Sequence, residues 1–187
     1  MSFLMDPLSD IIRGCIRNDS RAQRELYDRY KARLMGVCRR YTANRDEAHD
    51  ILQDAFIKIF NKIDQLNSYE KIDGWLIRIT ITTALDYYHK NRRFSFATIE
   101  NIESESEEYE RIFSTITDKY LVDMINSLPD GCRVIFNLFI VEGYSHAEIA
   151  TMLSITESTS RSQLVYAKKL LKEKLNAVGV LRYERYA

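Results

Sequence analysis

Gly143–Leu175, GYSHAEIATMLSITESTSRSQLVYAKKLLKEKL, is the stretch from which the fold of this chain can be read. Ser145 followed three residues later by Glu148, just ahead of an apolar run, is the reciprocal capping pattern of a helix start. Ile149, Ala150 and Leu153 then share one face. Ser154 and Ile155 break the pattern, and Thr156 is placed to cap a second helix beginning at Glu157. In that helix Leu164, Ala167, Leu171 and Leu175 recur at spacings of three and four and form an inward stripe. Ser158, Arg161, Ser162, Gln163, Tyr166, Lys168, Lys169, Lys172 and Lys174 occupy its other faces. Two short helices about a tight turn, the second opening with Arg, Ser, Gln and Tyr, suit insertion into a DNA major groove. Arg and Gln read base edges bidentately, whereas Ser, Tyr and Lys mostly hold phosphates. A solvated surface helix of an all-α bundle has the same pattern, and charge alone does not choose between the two: Glu157 to Leu175 carries five positive residues and two negative ones.

Upstream, Lys119–Asn126 supplies Leu121, Val122, Met124 and Ile125 as a helix that Leu128-Pro129-Asp130 ends, with Asp130 expected to cap the next. Arg133–Val141 follows with Val134, Ile135, Phe136, Phe139 and Ile140, closed by Glu142-Gly143. Residues 118–187 are therefore expected to form one small helical bundle. Before it the composition changes. From Phe94 to Asp123 eight acids face only Arg111 and Lys119, which predicts a flexible acidic linker over 95–117 and a domain boundary.

The first domain, 1–94, is expected to be helical too. Asp10–Arg17 reads as a short helix and Asn18-Asp19-Ser20 as a turn with Asp19 or Ser20 as cap. From Arg21 to Tyr41, Ala22, Leu26, Tyr30, Leu34, Val37, Cys38 and Tyr41 keep helical spacing, and the opposite face is strongly basic. A second helix, Arg45 to about Ile63, buries Ala48, Ile51, Leu52, Ala55, Phe56, Ile59, Phe60 and Ile63. Its first half is acidic, through Asp46, Glu47, Asp50, Gln53 and Asp54. The helix dipole accounts for the earliest of these, whereas Asp54 lies beyond its reach and points to a basic partner surface. A polar connection, Gln65–Asp73, leads into a third helix from Gly74 to about Arg93, with Trp75 expected as a core anchor. Thr80, Thr82 and Thr83 are poor mid-helix residues that packing must compensate. Tyr87, Tyr88 and Phe94 lie among Arg78, Lys90, Arg92 and Arg93. Such a mixture suits single-stranded nucleic acid, and equally a core helix with a basic C-terminus.

The 187 residues include only six glycines and two prolines at a formal net charge of +0. Helices should dominate, and indiscriminate polyanion binding over the whole surface is not expected. Cys15, Cys38 and Cys132 have no paired spacing for a metal site or disulfide framework, which fits a reducing cytosol. The first residues lack an export pattern and no apolar run is long enough to cross a bilayer, so a cytoplasmic protein without membrane insertion is expected. His49, His89 and His146 are scattered and there is no glycine-rich phosphate loop, so neither catalysis nor a cofactor nor a metal is expected.

These pieces resemble a known family. Glu25-Leu-Tyr-Asp-Arg-Tyr30, Asp46-Glu-Ala-His-Asp-Ile-Leu-Gln-Asp-Ala-Phe56, Gly74-Trp-Leu-Ile-Arg-Ile79, Ala84-Leu-Asp86 and Arg92-Arg93 look like the first domain of extracytoplasmic-function sigma factors. Those are the bacterial initiation subunits that guide core RNA polymerase to promoters. Leu128-Pro129, Glu142-Gly-Tyr-Ser145, Glu148-Ile-Ala150 and Glu157-Ser-Thr159 look like the second. The resemblance implies that Asp50, Gln53, Asp54 and Phe56 dock on the beta-prime clamp helices, and that the beta flap is a further polymerase contact. It implies that Asn67, Ser68, Tyr69, Arg78, Thr82, Thr83, Asp86, Tyr87, Lys90, Arg92 and Arg93 bind the non-template strand of the minus-ten element, with one base flipped out. Ser158, Thr159, Arg161, Ser162, Gln163, Tyr166 and Lys168 would read the minus-thirty-five element as duplex. An anti-sigma factor is a possible further partner. Thr82 stands where many relatives have Asn, and Ser158 where Gly is frequent, so the promoter sequence does not carry over.

Two other functions fit parts of the chain. A stand-alone helix-turn-helix regulator acting on duplex DNA would leave the Asp50/Gln53/Asp54 face and the Trp75–Arg93 helix without a role, and no dimerisation heptad is present. A helical enzyme or adaptor would show no salt-dependent DNA binding.

Overall fold

The computed structural model describes residues 7–42, 44–91 and 118–177, and the chain divides into two compact units, Met1–Arg92 and Arg93–Ala187. The expected linker, 95–117, lies outside the described residues, as do Arg92 and Arg93. The described secondary structure is helical throughout.

In the first unit α1 (Pro7–Ile16) reverses into α2 (Ser20–Tyr41) through Asn18, whose φ is 58°. Asp19 caps α2, its carboxylate accepting from the backbone N–H groups of Arg21 at 2.8 Å and Ala22 at 3.0 Å. The two helices approach so closely that a Cβ on Gly14 would sit 2.4 Å from that of Ala22. Gly14 is what permits the crossing. Asn44 caps α3 (Arg45–Lys62) by accepting from the Asp46 N–H at 2.9 Å. Two short 3₁₀ turns, Ile63–Gln65 and Tyr69–Lys71, then lead into α4 (Ile72–Asn91), which begins two residues before the expected Gly74.

Leu26, Leu34, Ile51, Ile59, Leu76 and Ile81 are buried at the centre of this unit. Each such side chain contributes roughly 1.5–3 kcal/mol by leaving water. Thr80 and Thr83 are also buried, and their hydroxyls donate to the carbonyls of Leu76 (2.9 Å) and Ile79 (2.8 Å) one turn back. That satisfies polar groups which would otherwise be costly in a core. Trp75 is not the core anchor expected of it. It is only half-buried, because the buried stripe of α4 runs through Leu76, Thr80, Ala84 and Tyr88, and one residue earlier on a helix is a rotation of about 100°.

The second unit has α5 (Asp118–Asn126), α6 (Asp130–Phe136) running into a π-helical turn at Asn137–Val141, α7 (His146–Leu153) and α8 (Glu157–Ala177). Asp130 does not cap α6. Pro129 holds the cap position without a side-chain bond, and the Asp130 carboxylate instead accepts from Arg133 at 2.6 Å. Arg133, 2% exposed, also donates to the Asn126 carbonyl at 3.1 Å, so a buried guanidinium ties the end of α5 to the start of α6. The helix expected over 133–141 thus starts three residues earlier and widens at its end, where Ile140 and Val141 turn outward. Gly143, with φ 77°, supplies the left-handed residue that ends it.

All three cysteines are buried and free, and burial pushes the thiols of Cys15, Cys38 and Cys132 up to about 11, 12 and 11. No described helix is long and apolar enough to cross a membrane.

Candidate nucleic-acid interface

The helix-turn-helix is built as its capping residues dictate. The Ser145 hydroxyl accepts from the Glu148 N–H at 3.3 Å, and the Glu148 carboxylate accepts from the Ser145 N–H at 2.8 Å. Ser154, at φ 54°, ends α7 in the left-handed region, and Thr156 accepts from the Thr159 N–H at 3.0 Å to start α8. Ile149 and Leu153 of α7 and Leu164, Ala167, Leu171 and Leu175 of α8 are all buried, as the sequence stripe requires.

A second tie fixes how the two helices meet, and sequence reasoning missed it. His146 Nδ1 lies 2.8 Å from the Ser160 hydroxyl across the turn, and its ring stacks on Phe139 at 4.4 Å between centroids. Burial, followed by the Arg161 charge, holds the His146 pKa below its ordinary value. The available clue was Ser160, a small residue four before Leu164 and so on the buried stripe.

On α8, Ser158 and Arg161 are exposed, while Thr159, Ser162, Tyr166 and Lys168 are partly so. Arg161 is paired with Glu157 at 2.8 Å. Gln163 is different. It is 1% exposed and its amide oxygen accepts from the Cys132 thiol at 3.0 Å, so its side chain faces the core of the unit and not the groove-facing surface expected of it. Gln163 sits about 40° beyond Ala167 around the helix, on a flank of the buried stripe that the Cys132 side of α6 covers.

On α4 the exposed ridge is Arg78, Thr82, Asp86 and Lys90, spaced four apart, with half-buried Trp75 at its start. The Thr82 hydroxyl is engaged by the Arg78 and Ile79 carbonyls, and Asp86 accepts from Lys58 of α3 at 2.8 Å. Tyr87 is half-buried with its ring edge-on to Tyr88. Thr83 was expected on this surface and lies instead in the core, 2% exposed. Asn67 and Tyr69 are exposed in the loop before α4, with Ser68 partly covered.

On α3, Asp50, Gln53 and Asp54 are exposed on one face, with no ion pair among the described residues. Phe56 is buried, its ring 4.7 Å from Tyr27 and 5.8 Å from Phe60, so it supports this face from beneath and does not form it. Ile57 completes the face at 58% exposure. The sequence pattern held the clue, since Ile57 falls off the apolar stripe while continuing the 50, 53, 54 spacing.

Comparison with known proteins agrees with both units. The family model "Sigma-70 region 2" matches residues 26–94, and "Sigma-70, region 4" matches residues 118–171. The ECF RNA polymerase sigma-E factor of Haemophilus influenzae is 25% identical over 173 residues, covering 85% of this chain and 90% of the relative. Its counterpart from Escherichia coli (strain K12) is 26% identical over 171 residues, covering 85% and 89%. A solved structure, of CnrH in complex with the cytosolic domain of CnrY, is 20% identical, covers 92% of this chain and 99% of that chain, and has a TM-score of 0.49. The chain belongs to the sigma factors, in the extracytoplasmic-function subfamily. It is a transcription initiation factor that directs RNA polymerase to promoters, and the stand-alone regulator is not favoured.

Proposed function

We propose that the first unit docks on the beta-prime clamp helices of polymerase through Asp50, Gln53, Asp54 and Ile57 of α3. The observation that carries this is two exposed acids, Asp50 and Asp54, which pair with no cation among the described residues. Asp54 lies beyond the first turns of its helix, where the dipole would favour it. Charges that the fold does not use are available to a basic partner.

The same unit captures the non-template strand of the minus-ten element with Asn67, Ser68 and Tyr69 of the loop and with Arg78, Thr82, Asp86, Tyr87 and Lys90 of α4. Trp75 adds an aromatic face. Arg92 and Arg93, matching the family pattern, belong to this surface by resemblance. In the second unit Ser158, Thr159, Arg161, Ser162, Tyr166 and Lys168 meet the minus-thirty-five duplex, and the same unit contacts the beta flap. Gln163 and Thr83 act behind these surfaces by holding them in shape. The protein works by binding, in the cytoplasm with the polymerase. An anti-sigma factor that covers these surfaces is a partner for which pull-down from the native cell tests.

Asp54→Lys is expected to abolish co-purification with core polymerase while circular dichroism stays that of the parent chain. Unchanged co-purification removes the clamp assignment.

A further inference from the structure

We propose that Asp86, aimed by Lys58 of α3, accepts a hydrogen bond from the exocyclic amine of one base in the captured non-template strand. Thymine, the one DNA base without such an amine, is then disfavoured at that position of the minus-ten element. The inference rests on the minus-ten role given above to the exposed ridge of α4.

That ridge is otherwise built to donate. Arg78 and Lys90 carry no acceptor, and the Thr82 hydroxyl gives its proton to the carbonyls of Arg78 and Ile79. Asp86 is the one carboxylate among the four, on a surface assigned to a polyanion. Bare, it would repel phosphates. Lys58 compensates its charge, with the ammonium 2.8 Å from Oδ2.

Two pairings closer in sequence are passed over to make that contact. Asp54 precedes Lys58 by four residues on α3, and Asp86 precedes Lys90 by four on α4. An acid four residues ahead of a lysine is the favourable order for a pair within one helix. Neither pair forms, and Asp54 and Lys90 have no ion pair among the described residues. The bridge that does form crosses between the helices, its side chains 37% and 58% exposed. A bridge so exposed adds little stability. Its consequence lies in the groups it leaves open: Asp54 on the docking face, Lys90 on the ridge, and Oδ1 of Asp86, which has no partner among the described residues. A carboxylate held by one oxygen, with its charge met, is a directed acceptor beside an unstacked base. The amine of cytosine, adenine or guanine donates to it, whereas thymine presents a carbonyl oxygen in the amine's place.

Holoenzyme is assembled from core polymerase and each full-length variant, and its affinity is measured for fork promoter DNA with a single-stranded minus-ten element. Each cytosine, adenine or guanine of that strand is replaced in turn by uracil, purine or hypoxanthine, the analogue without its amine. At one position the parent is expected to lose affinity about five- to tenfold. Asp86→Ala should bring that ratio to unity without weakening binding of the analogue strand, a pattern that loss of structure alone would not give. Lys58→Met should lower the ratio as well, because Asp86 then turns to Lys90. It should also flatten the slope of log affinity against log salt by about 0.7, as one phosphate contact is lost. Lys58→Arg should restore both. Unchanged ratios at every position in Asp86→Ala would overturn the amine contact, and a Lys58→Met holoenzyme that matches the parent would overturn the positioning. A parent holoenzyme indifferent to an abasic minus-ten strand would overturn the role of the ridge itself, and this inference with it.

Discussion

Arg161 and Gln163 lie two positions apart on α8 and do different work. Arg161 is exposed on one flank of the Leu164/Leu171 stripe, whereas Gln163, on the other flank, is buried with its amide oxygen on the Cys132 thiol. Replacing Arg161 with Ala is expected to cost about 1–3 kcal/mol of promoter discrimination, seen as unequal losses across minus-thirty-five variants in run-off transcription. Equal losses at every promoter would make Arg161 a phosphate contact. Gln163→Ala should instead destabilise the second unit by about 1–3 kcal/mol in denaturant unfolding, through the vacated space and the stranded Cys132 donor, with promoter ranking preserved. A changed ranking at unaltered stability would return Gln163 to the DNA. Both residues read as polar helix positions in the sequence. The difference between them is a rotation of about 200° about the helix axis, which becomes decisive only once α6 brings Cys132 alongside.

At the scale of elements, the turn between α7 and α8 was legible because local chemistry specifies it. Ser145, Glu148, Thr156 and the left-handed Ser154 satisfy helix-end groups within a few residues of themselves. The tie between His146 and Ser160 was not, since it spans fourteen residues and depends on how the helices cross. It has a pH signature. The folded His146 pKa is lowered from 6.5, so the unfolded chain binds the proton more readily than the fold does. Stability of this unit is therefore fully present above pH 6.5 and is lost as pH falls through that value and toward the lower folded pKa. Arg161 and Lys168 oppose the protonated ring and Glu157 favours it, with desolvation the largest effect. Melting curves over this range should show the decline in the parent protein and a flatter profile in His146→Phe. An equal slope in the variant would assign the titration to another group. The π-helical turn at Asn137–Val141 was equally hidden from local pattern, because its extra residue per turn lets Tyr144 bond back to the Leu138 carbonyl at 2.9 Å.

At the scale of the molecule, the chain is neutral overall yet its charge is segregated. α2 is basic, the first half of α3 acidic and α8 basic, so a net charge of +0 conceals surfaces suited to partners of opposite sign. Each unit is held by its own core, and Trp75, the sole tryptophan, reports on the first. Leu34→Ala, at a fully buried site, should lower the stability followed by Trp75 fluorescence by about 2–5 kcal/mol. A loss well under 1 kcal/mol would mean that this core repacks freely.

From sequence alone came the helical class, the existence and order of the helices, most of their buried stripes and the helix-turn-helix, because capping groups and apolar periodicity act over a few residues along one chain segment. Only tertiary structure decided that Phe56, Thr83 and Gln163 face inward, that Ile57 faces outward and Trp75 is only half-buried, and that Arg33, Tyr30 and Asp73 meet from two helices. Those outcomes depend on which neighbour occupies the other side of each helix, and the spacing of residues within a single helix carries no information about that neighbour.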